Sequence, residues 1–204
     1  MNVRASHRVQ AGYLMIEVLI TLFILAIGLL GVVGLQARAE QAETDSYQRT
    51  QALILAQDMA DRISTNRTAA FDTTVSPLPY GVATTAPLGT GSTKTCTGTL
   101  SIADSDLCAW SNALLGAAES SGGTCDTSAT ASRGANCAGT LLNARGCITS
   151  PVAHVYLIQV VWQGLTPSAA PPASVACGAT LYGANDDLRR AVTTVVQIPD
   201  VTAP

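Results

Sequence analysis

One hydrophobic segment near the N-terminus constrains the fold of this 204-residue chain more than any other feature. Eighteen residues run from Val18 to Leu35 with Thr21 as their only polar side chain, and Glu17 stands directly before them. At about 1.5 Å of rise per residue, a helix over 13–35 is about 35 Å long, enough to cross roughly 30 Å of bilayer hydrocarbon. A carboxylate at the edge of such a segment is costly unless it is paired, so Glu17 is a candidate functional residue.

The flanking residues set the orientation of this predicted membrane segment. Arg4 and Arg8 precede it, and basic residues are retained on the cytoplasmic side, so the chain after Leu35 is expected on the opposite side. A cleaved secretory signal is an alternative, because residues 37–39 fit the A-x-A cleavage pattern. However, the apolar run is longer than a signal peptide requires and Glu17 would interrupt it. A plain membrane anchor explains the length and the flanks, but neither Glu17 nor Gly12.

Six cysteines lie beyond the hydrophobic segment, and none of them forms a C-x-x-C pair. An even number of cysteines on the exported side of a membrane predicts up to three disulfides, with buried free thiols as the alternative. Fifteen connectivities are possible, and the low entropic cost of short loops favours pairing neighbours along the sequence. The candidates are therefore Cys96 with Cys108, Cys125 with Cys137, and Cys147 with Cys177.

Charge and motif content exclude several function classes. The net charge is −3, and residues 1–12 hold two of the eleven basic residues and none of the fourteen acidic ones, so a nucleic-acid partner is not expected. The two histidines, His7 and His154, have no nucleophile motif around them, and no phosphate loop or metal cluster is present. Adjacent Asp186 and Asp187 are a weak signal for calcium. The sequence predicts a protein that is not an enzyme, without cofactor or metal.

The pattern after Leu35 predicts that the helix continues to about Ser64. Apolar residues recur at helical spacing over 36–64 and no glycine or proline interrupts them. The predicted apolar stripe consists of Ala39, Ala42, Ala52, Leu55, Ala56, Met59 and Ile63. Acidic residues should form a solvated face, namely Glu40, Glu43, Asp45, Asp58 and Asp61. Residues 65–204 are long enough for a single globular domain with its own core.

This domain should be α+β, with a small antiparallel sheet packed on the helix. A short helix is predicted over 106–116, with Leu107, Trp110 and Leu114 facing the core. Strands are predicted over 154–163 and 188–198, where β-branched residues alternate, and a shorter one near 146–148. Residues 65–105 and 117–146 are rich in Gly, Ser, Thr and Pro and are predicted as disulfide-stabilised loops.

The N-terminal residues resemble the class III signal of type IV pilins and type II secretion pseudopilins. A basic leader ends at Gly12, and Tyr13 through Ile16 separate it from Glu17 and the apolar run. The resemblance implies that residues 1–12 are a leader removed by a prepilin peptidase, and that Tyr13 becomes the methylated N-terminus. It further implies that residues 13–35 form the transmembrane and filament-core helix. The new amine would then pair with Glu17 of a neighbouring subunit and fix the assembly register.

The C-terminal part resembles the PilV-type minor pilins, also called type IV pilus modification proteins. The resemblance rests on the "DL" and tryptophan of the short helix, the "GC" before the first strand, the valine-rich strand ending in tryptophan, and "RR" opening the last strand. It implies a pilin fold, an inner-membrane precursor with a periplasmic domain, and a minor pilin that primes assembly at or near the tip of a surface pilus. Implied partners are other minor pilins, the major pilin, a large tip adhesin and the membrane. A type II secretion pseudopilin and a membrane-anchored binding module are the alternatives.

Overall fold

A computed structural model describes residues 13–72, 74, 76, 78–117, 137, 139 and 141–199. The chain divides into two compact units, Met1–Thr44 and Asp45–Pro204, which are described separately. Gly12 and Cys125 lie outside the described residues, as does most of the predicted loop over 117–146.

Helix α1 extends over Tyr13–Thr65 and contributes residues to both units. The predicted end at Ser64 is thus confirmed to within one residue. Its threonines bond within the helix, since the Thr21 hydroxyl donates to Val18 O at 2.9 Å and the Thr44 hydroxyl donates to Glu40 O at 2.9 Å. By length and composition α1 qualifies as a membrane span over Met15–Thr65, with a mean hydropathy of 2.9 in its most apolar window.

In the second unit, the C-terminal part of α1 packs into the main core. Ala52, Ala56, Met59 and Ile63 are fully buried there, as the helical stripe predicted. Ala39 and Ala42, the first members of the predicted stripe, are exposed and belong to the first unit.

Four antiparallel strands are present: β1 (Leu88–Gly89), β2 (Arg145–Val152), β3 (Val155–Gln163) and β4 (Arg189–Gln197). They form a meander in the order β1-β2-β3-β4, which confirms the predicted α+β, pilin-like architecture. Strands β1 and β2 pair Leu88 with Gly146, and strands β3 and β4 stay in register from Val155–Gln197 to Gln163–Arg189. One face of β3 packs into the main core through Tyr156, Ile158, Val160 and Trp162.

The turn between β2 and β3 corrects one boundary. His154 was predicted as the first residue of the strand, but it lies in the turn with a φ of 63°, and β3 begins at Val155. Its imidazole stacks on Phe71, with ring centroids 3.9 Å apart. His154 therefore packs against the short helix α2, Arg67–Phe71, which the sequence analysis assigned to a loop.

Helix α3, Ile102–Leu115, begins four residues before the predicted helix. Ser101 caps it by accepting a hydrogen bond from Asp104 N at 3.0 Å, and Gly116 ends it in the left-handed conformation with a φ of 71°. The three apolar side chains of the predicted helix are buried as expected.

Two neighbouring cysteine pairs form disulfides as predicted. Cys96 is bonded to Cys108, and Cys147 is bonded to Cys177. Cys137 is also disulfide-bonded, and no cysteine in the described part of the chain is free. The first bridge ties the segment before α3 to that helix, and the second ties β2 to the connection between β3 and β4.

Candidate assembly surfaces

The first unit exposes a continuous apolar helix surface headed by one carboxylate. Large hydrophobic side chains from Met15 to Leu35 are 50 to 73% exposed. A helix on the surface of a soluble protein exposes mainly polar side chains and buries its apolar stripe. Glu17 is exposed in the first part of α1, and no other charged side chain occurs among residues 13–37. Such a surface is stable only against lipid or against other apolar helices.

The predicted N-terminal site residues are only partly described. Tyr13 is the first residue of α1 and precedes Glu17 by four residues, about 6 Å along the axis. Three glycines, Gly28, Gly31 and Gly34, have nothing within 4 Å of the place where a β-carbon would stand. They form a narrow stripe on which another helix can approach closely. Cleavage after Gly12, methylation of Tyr13 and pairing of Glu17 remain predictions.

In the second unit, two tryptophans fix α1 against the domain. The indole N–H of Trp110 on α3 donates to Leu55 O at 2.8 Å, and that of Trp162 on β3 donates to Gln48 Oε1 at 3.2 Å. Both rings are buried, so each combines a large apolar contact with a satisfied polar group. The sequence pattern predicts the ring of Trp110 in the core, but no local pattern identifies either acceptor.

A polar network at the end of α1 adds a second connection to α3. Arg62 bonds to Asp58 at 3.0 Å and to Asp106 at 3.3 Å, and the other oxygen of Asp106 accepts the Tyr80 hydroxyl at 2.6 Å. Asn66 donates to the same tyrosine oxygen at 2.8 Å. Burial and the Asp106 carboxylate raise the pKa of Tyr80, while the Asp58 hydrogen bond raises the pKa of Arg62. The tyrosine therefore stays neutral and keeps donating its hydrogen bond.

A second, smaller core covers the other face of the sheet. Buried Arg189 donates to Val175 O and to Cys177 O, and its Nε lies 3.3 Å from Asp186 Oδ2. Buried Gln159 accepts from Cys177 N at 3.1 Å. These bonds hold the connection between β3 and β4 beside the Cys147–Cys177 bridge.

The same core assigns a structural role to Asp186. This carboxylate accepts from Thr180 N at 2.8 Å and faces Arg189. Among the described residues, no group of three or more His, Cys, Asp or Glu side chains could hold a metal ion. The weak calcium signal of Asp186 and Asp187 thus has another physical explanation.

With this geometry established, comparison with known proteins gives one finding. A family model described as "Tt1218-like: Type IV pilin Tt1218" matches residues 34–110. The match supports the interpretation of this chain as a type IV pilin. It covers the second half of α1 and continues through β1 to Trp110 on α3, the region in which the helix is joined to the domain. No curated protein and no solved structure matches the sequence.

The match supports the coarser part of the functional prediction. Pilins are structural subunits that assemble with other pilins and are not enzymes. The N-terminal apolar helix of this chain fits membrane anchoring. The PilV-type assignment and the prepilin signal were inferred from residues outside or only partly inside the matched range.

Proposed function

We propose that this chain is a minor pilin of a type IV pilus, made as an inner-membrane precursor and incorporated at or near the pilus tip, where it primes assembly. The observation that carries the proposal is the exposed apolar surface of α1 with Glu17 as its only charged side chain. The pilin family match over residues 34–110 independently supports a pilin structural subunit. The N-terminus would be cytoplasmic and the domain periplasmic before assembly.

Glu17 supplies the register of assembly. Removal of the leader after Gly12 creates a positive amine at Tyr13, and this amine pairs with Glu17 of a neighbouring subunit. In a low-dielectric environment the pairing offsets the cost of burying both charges. An unpaired carboxylate in the same place would oppose assembly, so only the aligned arrangement is stable. The other pilins of the filament and the prepilin peptidase are the partners that this mechanism requires.

The first test is the N-terminus of the mature protein, determined by mass spectrometry. The proposal expects it at Tyr13 with an N-methyl group. A mature chain starting at Glu40 would indicate an ordinary secretory signal and refute the proposal. An uncleaved chain would support the membrane-anchored binding module.

The second test separates membrane insertion from assembly. Glu17→Gln should be inserted and cleaved like the wild type, because a neutral side chain enters lipid more easily, yet it should be depleted from sheared surface filaments relative to the membrane pool. Asp61→Asn makes the same carboxylate-to-amide change at an exposed position of α1 and is the matched control. Equal filament-to-membrane ratios for all three proteins would mean that Glu17 is only part of an anchor.

A type II secretion pseudopilin is the second candidate, because the proposed stem chemistry is the same. Deletion of the chain distinguishes the two. Loss of surface pili with normal protein secretion favours the pilus, and the reverse favours the secretion system.

A further inference from the structure

The two edges of the sheet differ in how their main chain is covered. At one edge, β1 pairs with the start of β2, and Val82 and Ile148 exchange two backbone hydrogen bonds of 2.8 and 3.0 Å further along β2. Strand β4 forms the other edge, and its nine residues pair with β3 on one side only. The open edge of the sheet therefore lies along β4.

The alternation of hydrogen bonds identifies the main-chain groups at this edge. Just before β4, Leu188 O accepts from Gly164 N at 2.8 Å. Just after it, Ile198 N donates to His154 O at 2.9 Å, and the register between these points is continuous. Even-numbered residues of β4 thus bond toward β3, and the residues between them direct their N–H and C=O groups outward. The outward-facing residues are Ala191, Thr193, Val195 and Gln197.

This edge lacks the features that usually keep another chain from pairing. Natural edge strands are protected by charged side chains, by proline, by bulges or by being very short. Residues 191–198 include no charged residue and no proline, and β4 pairs with β3 without a register shift. In the described part of the chain no group bonds to the outward N–H of Thr193 or Val195. Only another extended main chain presents matching donors and acceptors, so the edge is suited to a further strand.

A charge at the start of β4 restricts which strand fits. Arg190 lines a groove of about 360 Å³ together with Asp45 and Arg49 of α1. Its guanidinium donates to Asp187 O at 3.2 Å and to Thr166 O at 2.6 Å, both of them neutral carbonyls. Neither arginine is within salt-bridge distance of a carboxylate among the described residues. The groove therefore holds two cations and one carboxylate, an excess of one positive charge.

An added strand would place one of its side chains beside this charge. The residue directly opposite Arg190 lies on the same face of the sheet, with the two β-carbons about 5 Å apart. An aspartate or glutamate at that position would face Arg190 and the groove with its positive excess. Opposite charges at paired positions favour the pairing of two strands, and like charges oppose it.

We propose that the free edge of β4 is the docking site for an extended strand of a different protein, one that carries a carboxylate opposite Arg190. A second copy of this chain does not offer such a strand, because none of β1, β2, β3 and β4 contains an aspartate or glutamate. Opposite residues 191–197 the partner strand faces only uncharged side chains. The inference rests on the proposed function in one respect, namely that the partner is another subunit of the same assembly.

The test is photo-crosslinking in cells that express the full chain with a benzophenone amino acid in place of Val195, which is 63% exposed. Val195 and Arg190 are five residues apart, and paired strands advance at the same rate. The crosslinked peptide of the partner should therefore carry an aspartate or glutamate about five residues from the crosslinked position. Arg190→Gln, which keeps a donor for the neighbouring carbonyls but removes the charge, should lower the yield about two- to fivefold.

A backbone variant distinguishes strand addition from contact through side chains. Because the N–H of Thr193 is directed away from β3, Thr193→Pro removes an outward donor without breaking a bond to β3. It should lower the crosslinking yield at least about fivefold. Thr193→Ala retains the N–H and is the matched control, whose yield should stay within about twofold of the parent. If Thr193→Pro also lowers the Tm in detergent, Gln197→Pro, which removes another outward N–H, takes its place.

Several outcomes would overturn the proposal. They are the absence of crosslinks, crosslinks to a second copy of this chain, a partner peptide without an acidic residue at the expected spacing, and a yield that is insensitive to the proline variants. Incorporation into filaments is measured separately in sheared fractions. Crosslinks with the expected pattern that are confined to the membrane fraction would uphold strand docking and refute the pilus function.

Discussion

Replacing Gly146 by alanine tests how tightly α3 is packed on the sheet. Gly146 lies in β2, and a β-carbon there would stand 2.6 Å from Trp110 Cζ3 and 2.8 Å from Leu114 Cδ1. The indole cannot swing away freely, because its N–H is bonded to Leu55 O at 2.8 Å. The added methyl must therefore displace either the ring or the strand.

The magnitude follows from three contributions. Overpacking a core costs about 1 to 3 kcal/mol, and weakening the indole hydrogen bond adds about 1 kcal/mol. Alanine in place of glycine in a strand returns about 0.5 to 1 kcal/mol of backbone entropy. The net loss is about 1 to 3 kcal/mol, which for a unit of this size lowers the Tm by roughly 2 to 12 °C.

Thermal unfolding of the full chain in detergent, followed by circular dichroism, measures this loss. Trp110→Leu provides the second side of a double-mutant cycle, since the smaller side chain leaves room for the methyl group. Gly146→Ala should then cost less by at least about 0.5 kcal/mol in the Trp110→Leu background than in the wild type. An unchanged Tm for Gly146→Ala, or the same loss in both backgrounds, would show that the ring does not limit the space at this position.

Two further predictions concern the stability of the domain. Replacing Cys147 and Cys177 together by serine removes a bridge between residues 30 apart in sequence, so the free energy of unfolding should fall by about 3 to 4 kcal/mol. Urea titration measures this loss, and an unchanged midpoint would contradict a stabilising role of the bridge. Burial raises the pKa of Tyr80, Tyr156 and Tyr182 above the value of about 10 expected in the unfolded chain. Stability should therefore be insensitive to these tyrosines below pH 10 and should fall above it, by up to about 1.4 kcal/mol per pH unit for each. Tyr80→Phe should reduce that slope, and an alkaline profile identical to wild type would exclude Tyr80 as a contributor.

The elements that could be predicted are those encoded by local patterns. Helix α1 follows from its hydrophobic length and the absence of breakers after Gly34, and β3 and β4 follow from alternation. The predicted start of helix α3, residue 106, is four residues too late, because the sequence alone does not show that Ser101 caps the helix through its hydrogen bond with Asp104 N. Strand β2, predicted only near 146–148, extends over Arg145–Val152 although it contains Pro151, a residue that disfavours strands. A shift in register between Thr149 and Val152 accommodates the proline.

The contacts of the candidate surfaces depend on residues distant in sequence, and no local pattern encodes them. The pair Arg189-Arg190 illustrates the limit. As a sequence it is only a basic opening to a strand, but neighbouring strand residues point to opposite faces. Arg189 is buried against the carbonyls beside the Cys147–Cys177 bridge, whereas Arg190 lines a groove that Asp45 and Arg49 of α1 also line.

This division makes the two arginines separable in effect. Arg189 donates hydrogen bonds to two carbonyls and forms an ion pair with Asp186, so its replacement leaves buried polar groups unpaired and acts on folding. Arg190 donates only to the carbonyls of Asp187 and Thr166, is half-buried, and forms no ion pair among the described residues, so its replacement should cost less stability than that of Arg189. The pleat of one strand thus directs one guanidinium into the smaller core, where it holds the domain together, and the adjacent one to the groove beside α1.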